Sequence, residues 1–383
     1  MYAKNLGRNL LLGAVALLLA VGPVSAGDEA TWNKDRAAKY LDERGQVWLE
    51  NFPAAERGEG TGKTSCVSCH TLAPYALARP ALRKLTGESE PTKYEKRHLA
   101  ATRKRVENWK DLDSPQFQLL YDFNERKKKE SWGTEAVLNS FVLAFDDCNQ
   151  GRKEPSSSTK AAFTNLWKTQ EIEGDQRGSW EWLDFNLGPW EWKEGRYFGA
   201  TVAVLAVGTA PGYYKDGADQ QLDQQVNLLR AYLRGTLAKQ NLHNRVWLLW
   251  AATKTEGLLD REERKKIIAE IVGKQQHDGG WRLSSLGEFK RSDATPQETA
   301  SDGYASGLIL HVLQTTGITK DDPNVKKGLA WLRANQKPSG AWAGSSVNKQ
   351  REPESTNPAK AHVGKFMWDA ATAYAVLALC HSE

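Results

Sequence analysis

The sequence predicts an all-α protein of about six helix pairs, twelve helices set in two concentric rings. Three observations carry that expectation. Apolar residues recur at helical spacing along most of the chain, while alternating strand patterns are scarce. Successive helical segments alternate between amphipathic and wholly apolar, and a wholly apolar helix must be buried while an amphipathic one faces water. The loops inside the pairs repeat, as they do in stacked repeat architectures.

In chain order, residues 1–26 read as a secretion leader. Lys4 and Arg8 open it, Leu10 to Gly22 form a short apolar run, and Val24-Ser25-Ala26 is a small-residue cleavage site before Gly27. The run is shorter than the ~20 apolar residues a membrane span needs, so no transmembrane anchor is expected. A periplasmic or otherwise exported, soluble protein follows. The formal charge of +5 includes Lys4 and Arg8. What remains is too small, and too scattered, for a nucleic-acid footprint. Arg126-Lys127-Lys128-Lys129 reads as a solvated helix end.

Residues 27–383 carry no Ser/Gly/Pro-rich linker and read as a single domain. Helices are expected near 34–50, 72–86, 95–108, 133–147, 158–170, 197–208, 219–239, 243–256, 259–275, 301–316, 322–335 and 367–380. The first of each pair is charged and amphipathic, as in Glu262–Gln275. The second is apolar or small throughout, as in Ala370–Leu379.

The loops within pairs share a pattern. Gln336-Lys337-Pro338-Ser339-Gly340-Ala341-Trp342 and Gln276-His277-Asp278-Gly279-Gly280-Trp281 are two copies. A looser one runs from Gln170 to Gly178-Ser179-Trp180. Gly permits a tight turn, and Trp packs back over the helix end. This pattern resembles the Q-x-x-x-G-x-W repeats of squalene–hopene and oxidosqualene cyclases and of the wider prenyltransferase/squalene oxidase repeat group. The resemblance implies an α/α toroid whose inner helices surround a cavity. The catalytic Asp-x-Asp-Asp run of the cyclases is absent. Phe145-Asp146-Asp147 lacks its first Asp and reads as a helix-end pair, so terpene cyclase activity is not expected.

Cys66-Val67-Ser68-Cys69-His70 is a c-type haem attachment signature. Two thiols three positions apart suit two thioethers to one haem, and His70 then reaches the iron. A thioredoxin-like dithiol would need a βαβ setting, and a zinc site would need a fourth ligand. The motif sits inside the first pair, where other pairs place their Gly-Trp loops. In a closed ring the sixth pair neighbours the first, and its inner helix opens at Phe366-Met367-Trp368-Asp369. Met367, the only Met beyond the leader, is the expected distal iron ligand, with His362 as rival. On this basis the expected cofactor is one covalent haem c.

Two functions follow from that expectation. One is a c-type cytochrome in electron transfer, with a redox partner protein. The other is a haem oxidoreductase acting on a hydrophobic small molecule, by the resemblance an isoprenoid, in the toroid's cavity. Asp302, Asp369, Glu135 and Glu194, near the starts of inner helices, are candidates to converge at the same mouth or are simply stabilised by helix dipoles. His311 reads as a satisfied core histidine, and His98 and His243 as helix-surface or helix-start residues. Cys148 and Cys380 pair by parity, but they fall in non-adjacent pairs of the ring, which argues against a disulfide.

Overall fold

A computed structural model describes residues 31–51, 55–56, 63–109, 121 and 123–383; the expected leader lies outside these. The chain is an α/α toroid. Its outer helices are α1 (Lys34–Asn51), α3 (Lys93–Glu107), α5 (Ser157–Lys168), α7 (Gln220–Thr236), α9 (Arg261–Gly273) and α11 (Pro323–Ala334). Its inner helices are α2 (Leu72–Thr86), α4 (Glu125–Asn149), α6 (Gly195–Thr209), α8 (Leu242–Ala251), α10 (Gly303–Thr315) and α13 (Phe366–Ser382). Each inner helix packs on the next, and α13 returns to α2, which closes the inner ring.

Burial follows the alternation in the sequence. Helix α13 is buried continuously from Met367 to Leu379, whereas α9 buries only Ile267 and Ile271. Small residues set the closest inner contacts. A Cβ on Gly307 of α10 would lie 2.4 Å from the backbone nitrogen of Ala375 in α13. Aromatic rings of the inner helices meet one another. Trp247 lies 5.2 Å from Trp250 between centroids, tilted by 40°, and Tyr374 meets Trp247 edge-on at 5.8 Å and Tyr304 at 5.5 Å. These rings fill part of the space that the inner helices enclose.

Three elements differ from expectation. Helix α4 begins at Glu125, because the Asn124 side chain caps Lys127 N at 2.9 Å and Glu130 engages Arg126 and Lys127 on the first turns. The helix continues through Gly133, where the carbonyl of Glu181 approaches to 2.2 Å of a notional Cβ. A thirteenth helix, α12 (Pro358–Gly364), is one that periodicity cannot register at seven residues. It is fixed by Pro358 at its first position and an Asn357 cap. Strands β1 (Ala55–Glu56) and β2 (Lys63–Thr64) form a two-residue hairpin inside the first pair.

The repeated loops are one structural device used three times. Trp180, Trp281 and Trp342 each donate their indole N–H to a carbonyl of the preceding outer helix, Leu166, Ile271 and Leu332, at 2.7–2.8 Å. Gly178, Gly279 and Gly340 all have φ between 91° and 96°. In each, the Gln amide donates to the glycine carbonyl and to a backbone carbonyl at the following outer helix: Gln170 to Gln225, Gln275 to Asn324, and Gln336 to Asn33. The second copy uses Gln275 and not Gln276. The third copy binds the last outer helix to the first.

Among the described residues, no helix is long and apolar enough to cross a membrane. Cys148 and Cys380 are both free thiols. His98 is buried within α3, in contrast to a surface position, while His243 stands at the start of α8, is also buried, and has its Nε2 2.7 Å from the Tyr304 hydroxyl. His311 is buried as expected, but neither of its ring nitrogens has a partner.

Candidate functional site

A cavity of about 370 Å³ opens at the mouth formed by the N-terminal ends of the inner helices. Four segments converge there: the Cys66–His70 stretch before α2, the 185–191 loop before α6, the 346–351 loop, and the start of α13.

The 185–191 loop is rigidly built. The backbones of Leu187 and Glu191 exchange two hydrogen bonds, 2.8 and 2.9 Å, and Phe185 N also donates to Glu191 O. The Trp190 carbonyl accepts from the Trp182 indole, and the Trp190 indole donates to Tyr304 OH. Asn348 donates to the Gly188 carbonyl at 2.8 Å, tying this loop to the next. Glu191 is thus held between two buried tryptophans, with its side chain on the cavity wall.

The Glu191 carboxyl makes no hydrogen bond or ion pair among the described residues. Burial pushes it up to about 7, and Lys127 only partly offsets this. Near neutral pH it is a proton donor. Arg351 also faces the cavity without a carboxylate within ion-pairing distance among the described residues; burial pulls it below its ordinary value, and Asp293 acts on it only at longer range. Trp48, Trp190, Tyr121, Phe185 and Phe366 supply flat aromatic walls.

His70 begins the turn into α2. Its ring is stacked on Phe366 at 4.2 Å and meets the edge of Trp48 at 4.8 Å. Its Nδ1 lies 2.7 Å from Thr71 Oγ1. Burial, with Arg44 and His362 adding repulsion, lowers its pKa to about 3, so the ring is neutral. Behind it, Asp369 accepts from Thr71 Oγ1 at 2.8 Å, Tyr40 OH at 3.0 Å and the Arg44 fork at 2.7 and 2.9 Å.

The structure brings Cys66, His70 and Met367 to this cavity, but not Cys69 or His362. Cys69 is buried in the core, where its charge would act on Tyr304 and Tyr374. The Nδ1 of His362 faces Arg44 at 3.2 Å. Burial, with Glu191 adding to it, raises both thiols well above their ordinary value, so neither is a thiolate.

The four carboxylates near inner-helix starts do not line the cavity, and Asp302 stabilises its helix start as the alternative reading has it. Asp302 caps α10 through Ala305 N, Glu135 is paired with the buried Arg105, Glu194 bonds Asn241, and Asp369 serves the network behind His70. Glu191 is the carboxylate among the described residues that lines it. Its sequence signal was its position between Trp190 and Trp192, just before an apolar inner helix.

No family model matches the chain, and no curated protein matches it. Solved structures of similar fold include a glycosidase variant at 9% identity, covering 91% of this chain and 97% of that one, with a TM-score of 0.49. A glycosidase variant in complex with glucose covers the same shares at 9% identity and 0.46. A polysaccharide lyase at 11% identity covers 92% of this chain and 90% of that one at 0.35.

Among the described residues, no group of three or more His, Cys, Asp or Glu is placed to hold a metal ion. The expectation of a haem c electron carrier is corrected and set aside: Cys66 lines this cavity, whereas Cys69 is buried in the core outside its lining.

Proposed function

We propose that the chain is an exported carbohydrate-processing protein that binds a sugar at this mouth and uses Glu191 as its acid. The observation that carries this reading is the Glu191 carboxyl, protonated near pH 7 and unpaired on an aromatic-walled cavity. Flat rings such as Trp48, Trp190 and Tyr121 offer stacking faces for a sugar ring. Asn348, Ser346 and Arg351 offer polar groups at its edges, the few convergent polar groups that give a pocket its specificity. The signal-like residues 1–26 support export, where polymeric carbohydrate is met.

The chemistry is proton donation. Glu191 gives its proton to the oxygen leaving the sugar, the C–O bond breaks, and water adds to the carbon. The proton shed by that water restores the acid through solvent. Among the described residues lining the cavity, Glu191 is the sole carboxylate, so a second carboxylate acting as nucleophile is not part of this scheme.

The test is a panel of neutral and uronic-acid-containing oligosaccharides, screened for binding by calorimetry and for cleavage by reducing-end assay. Cleavage that falls as pH rises through about 7, and drops by about 10²–10⁴-fold in Glu191→Gln while binding persists, is the expected result. Failure of every sugar to bind would overturn the proposal. So would a Glu191→Gln variant with unchanged turnover.

A further inference from the structure

We infer that His70 is the fixed hydrogen-bond acceptor of the cavity, held as its Nδ1–H tautomer by Thr71 and Asp369 so that Nε2 offers a lone pair to a hydroxyl or water of the bound ligand. The inference comes from counting hydrogens. Arg44 engages both oxygens of Asp369 through Nε and Nη2, the two-point contact made with an ionised carboxylate. Asp369 therefore accepts only. It accepts from Thr71 Oγ1 at 2.8 Å, which uses the single hydrogen of that hydroxyl.

Thr71 Oγ1 then has only lone pairs left for His70 Nδ1 at 2.7 Å, so Nδ1 carries the ring hydrogen. A neutral imidazole has one hydrogen on nitrogen, and Nε2 is left as an acceptor. It makes no hydrogen bond among the described residues, and His70 lines the cavity. Phe366 and Trp48 clamp the ring plane, which fixes the direction of that lone pair.

The cavity thus carries one donor and one acceptor of fixed sense, Arg351 and Nε2 of His70, beside the protonated Glu191, which both donates and accepts. A ligand must present a donor to His70 as well as an oxygen to Glu191. Thr71 and Asp369 are positioning residues in this scheme, since they act through His70. The identity of the ligand donor rests on the carbohydrate reading, whereas the tautomer does not.

The experiment uses the full chain labelled with ¹⁵N-histidine, with His70 assigned from the signals that vanish in His70→Gln. The expected spectrum shows a pyrrole-like Nδ1 and a pyridine-like Nε2. Thr71→Val should move both toward intermediate values, and Thr71→Ser should restore them. A wild-type His70 with its hydrogen on Nε2, or a Thr71→Val spectrum identical to wild type, would overturn the inference.

A binding arm uses methyl glucuronide, its single-deoxy analogues and methyl glucoside. One deoxy analogue should bind wild type about three- to tenfold more weakly than the parent, and this difference should disappear in His70→Gln. A deoxy penalty that persists in His70→Gln overturns the acceptor role. A wild-type protein that binds none of these sugars refutes the carbohydrate reading and leaves the spectrum to decide the tautomer.

Discussion

Arg351 and Glu191 share one cavity with opposite requirements. Glu191 is uncharged below about pH 7, so the positive charge of Arg351 is left without a counterion on the wall. An acidic ligand supplies one. Arg351→Gln is expected to weaken a uronic-acid-containing ligand by about tenfold or more, the worth of a charge-assisted hydrogen bond, and to leave a neutral sugar nearly unchanged. Calorimetry on both ligands, with salt varied, checks this. Glu191 also has a stability consequence. Its folded-state pKa lies above the ordinary carboxylate value of 4.5, so the native state holds a proton that the unfolded chain releases. Its contribution is full below about 4.5 and is lost as pH rises through about 7. Glu191→Gln removes that dependence, and the melting temperature of the variant should fall less than wild type between pH 5 and 8.

At the scale of elements, the Gln-Gly-Trp loop ties α5 to α7, α9 to α11 and α11 to α1. A Cβ at Gly340 would stand 2.2 Å from the Arg36 carbonyl, at a φ of 91°. Gly87 also has positive φ, at 75°, but nothing lies within 4 Å of its notional Cβ. Gly87→Ala should cost about 1 kcal/mol from backbone strain alone. Gly340→Ala should cost at least about 3 kcal/mol, because helix α1 must also move. Gln336→Ala loses three hydrogen bonds, including Asn33 N to Oε1 at 2.7 Å, and should cost about 1–3 kcal/mol. Urea melts rank the three, and equal losses for the two glycine variants would refute the packing argument.

At the scale of the molecule, the ring closes the chain on itself. Trp32 Nε1 donates to Glu383 Oε1 at 2.7 Å, Lys34 pairs with the same carboxylate, and α13 packs between α10 and α2. The two ends of the described chain are thus adjacent. A circular permutant joining residue 383 to residue 32 by a short Gly/Ser linker, with new ends in the exposed 215–218 turn, should fold with native helix content by circular dichroism. Loss of that helix content would show that closure depends on the original connectivity.

The sequence by itself determined the helix pairs, their inner and outer character and the repeated loops. Each rests on local chemistry: Ala371 to Leu379 can only be buried, and Gly340 with Trp342 can only turn and pack back. It also placed Cys66, His70 and Met367 near one another, through ring closure. Only the tertiary structure decided what the mouth is made of. Glu191 acquires its acid character from burial on a cavity wall, and nothing in Trp190-Glu191-Trp192 encodes that burial. Cys69 lies three positions from Cys66 yet is buried in the core, while Cys66 lines the cavity. Likewise Thr71 gains its role only because Asp369, 298 positions away, takes its hydrogen. Spacing along the chain fixes which residue types are available, but burial and long-range hydrogen bonds fix their protonation and direction, and these exist only once the ring has closed.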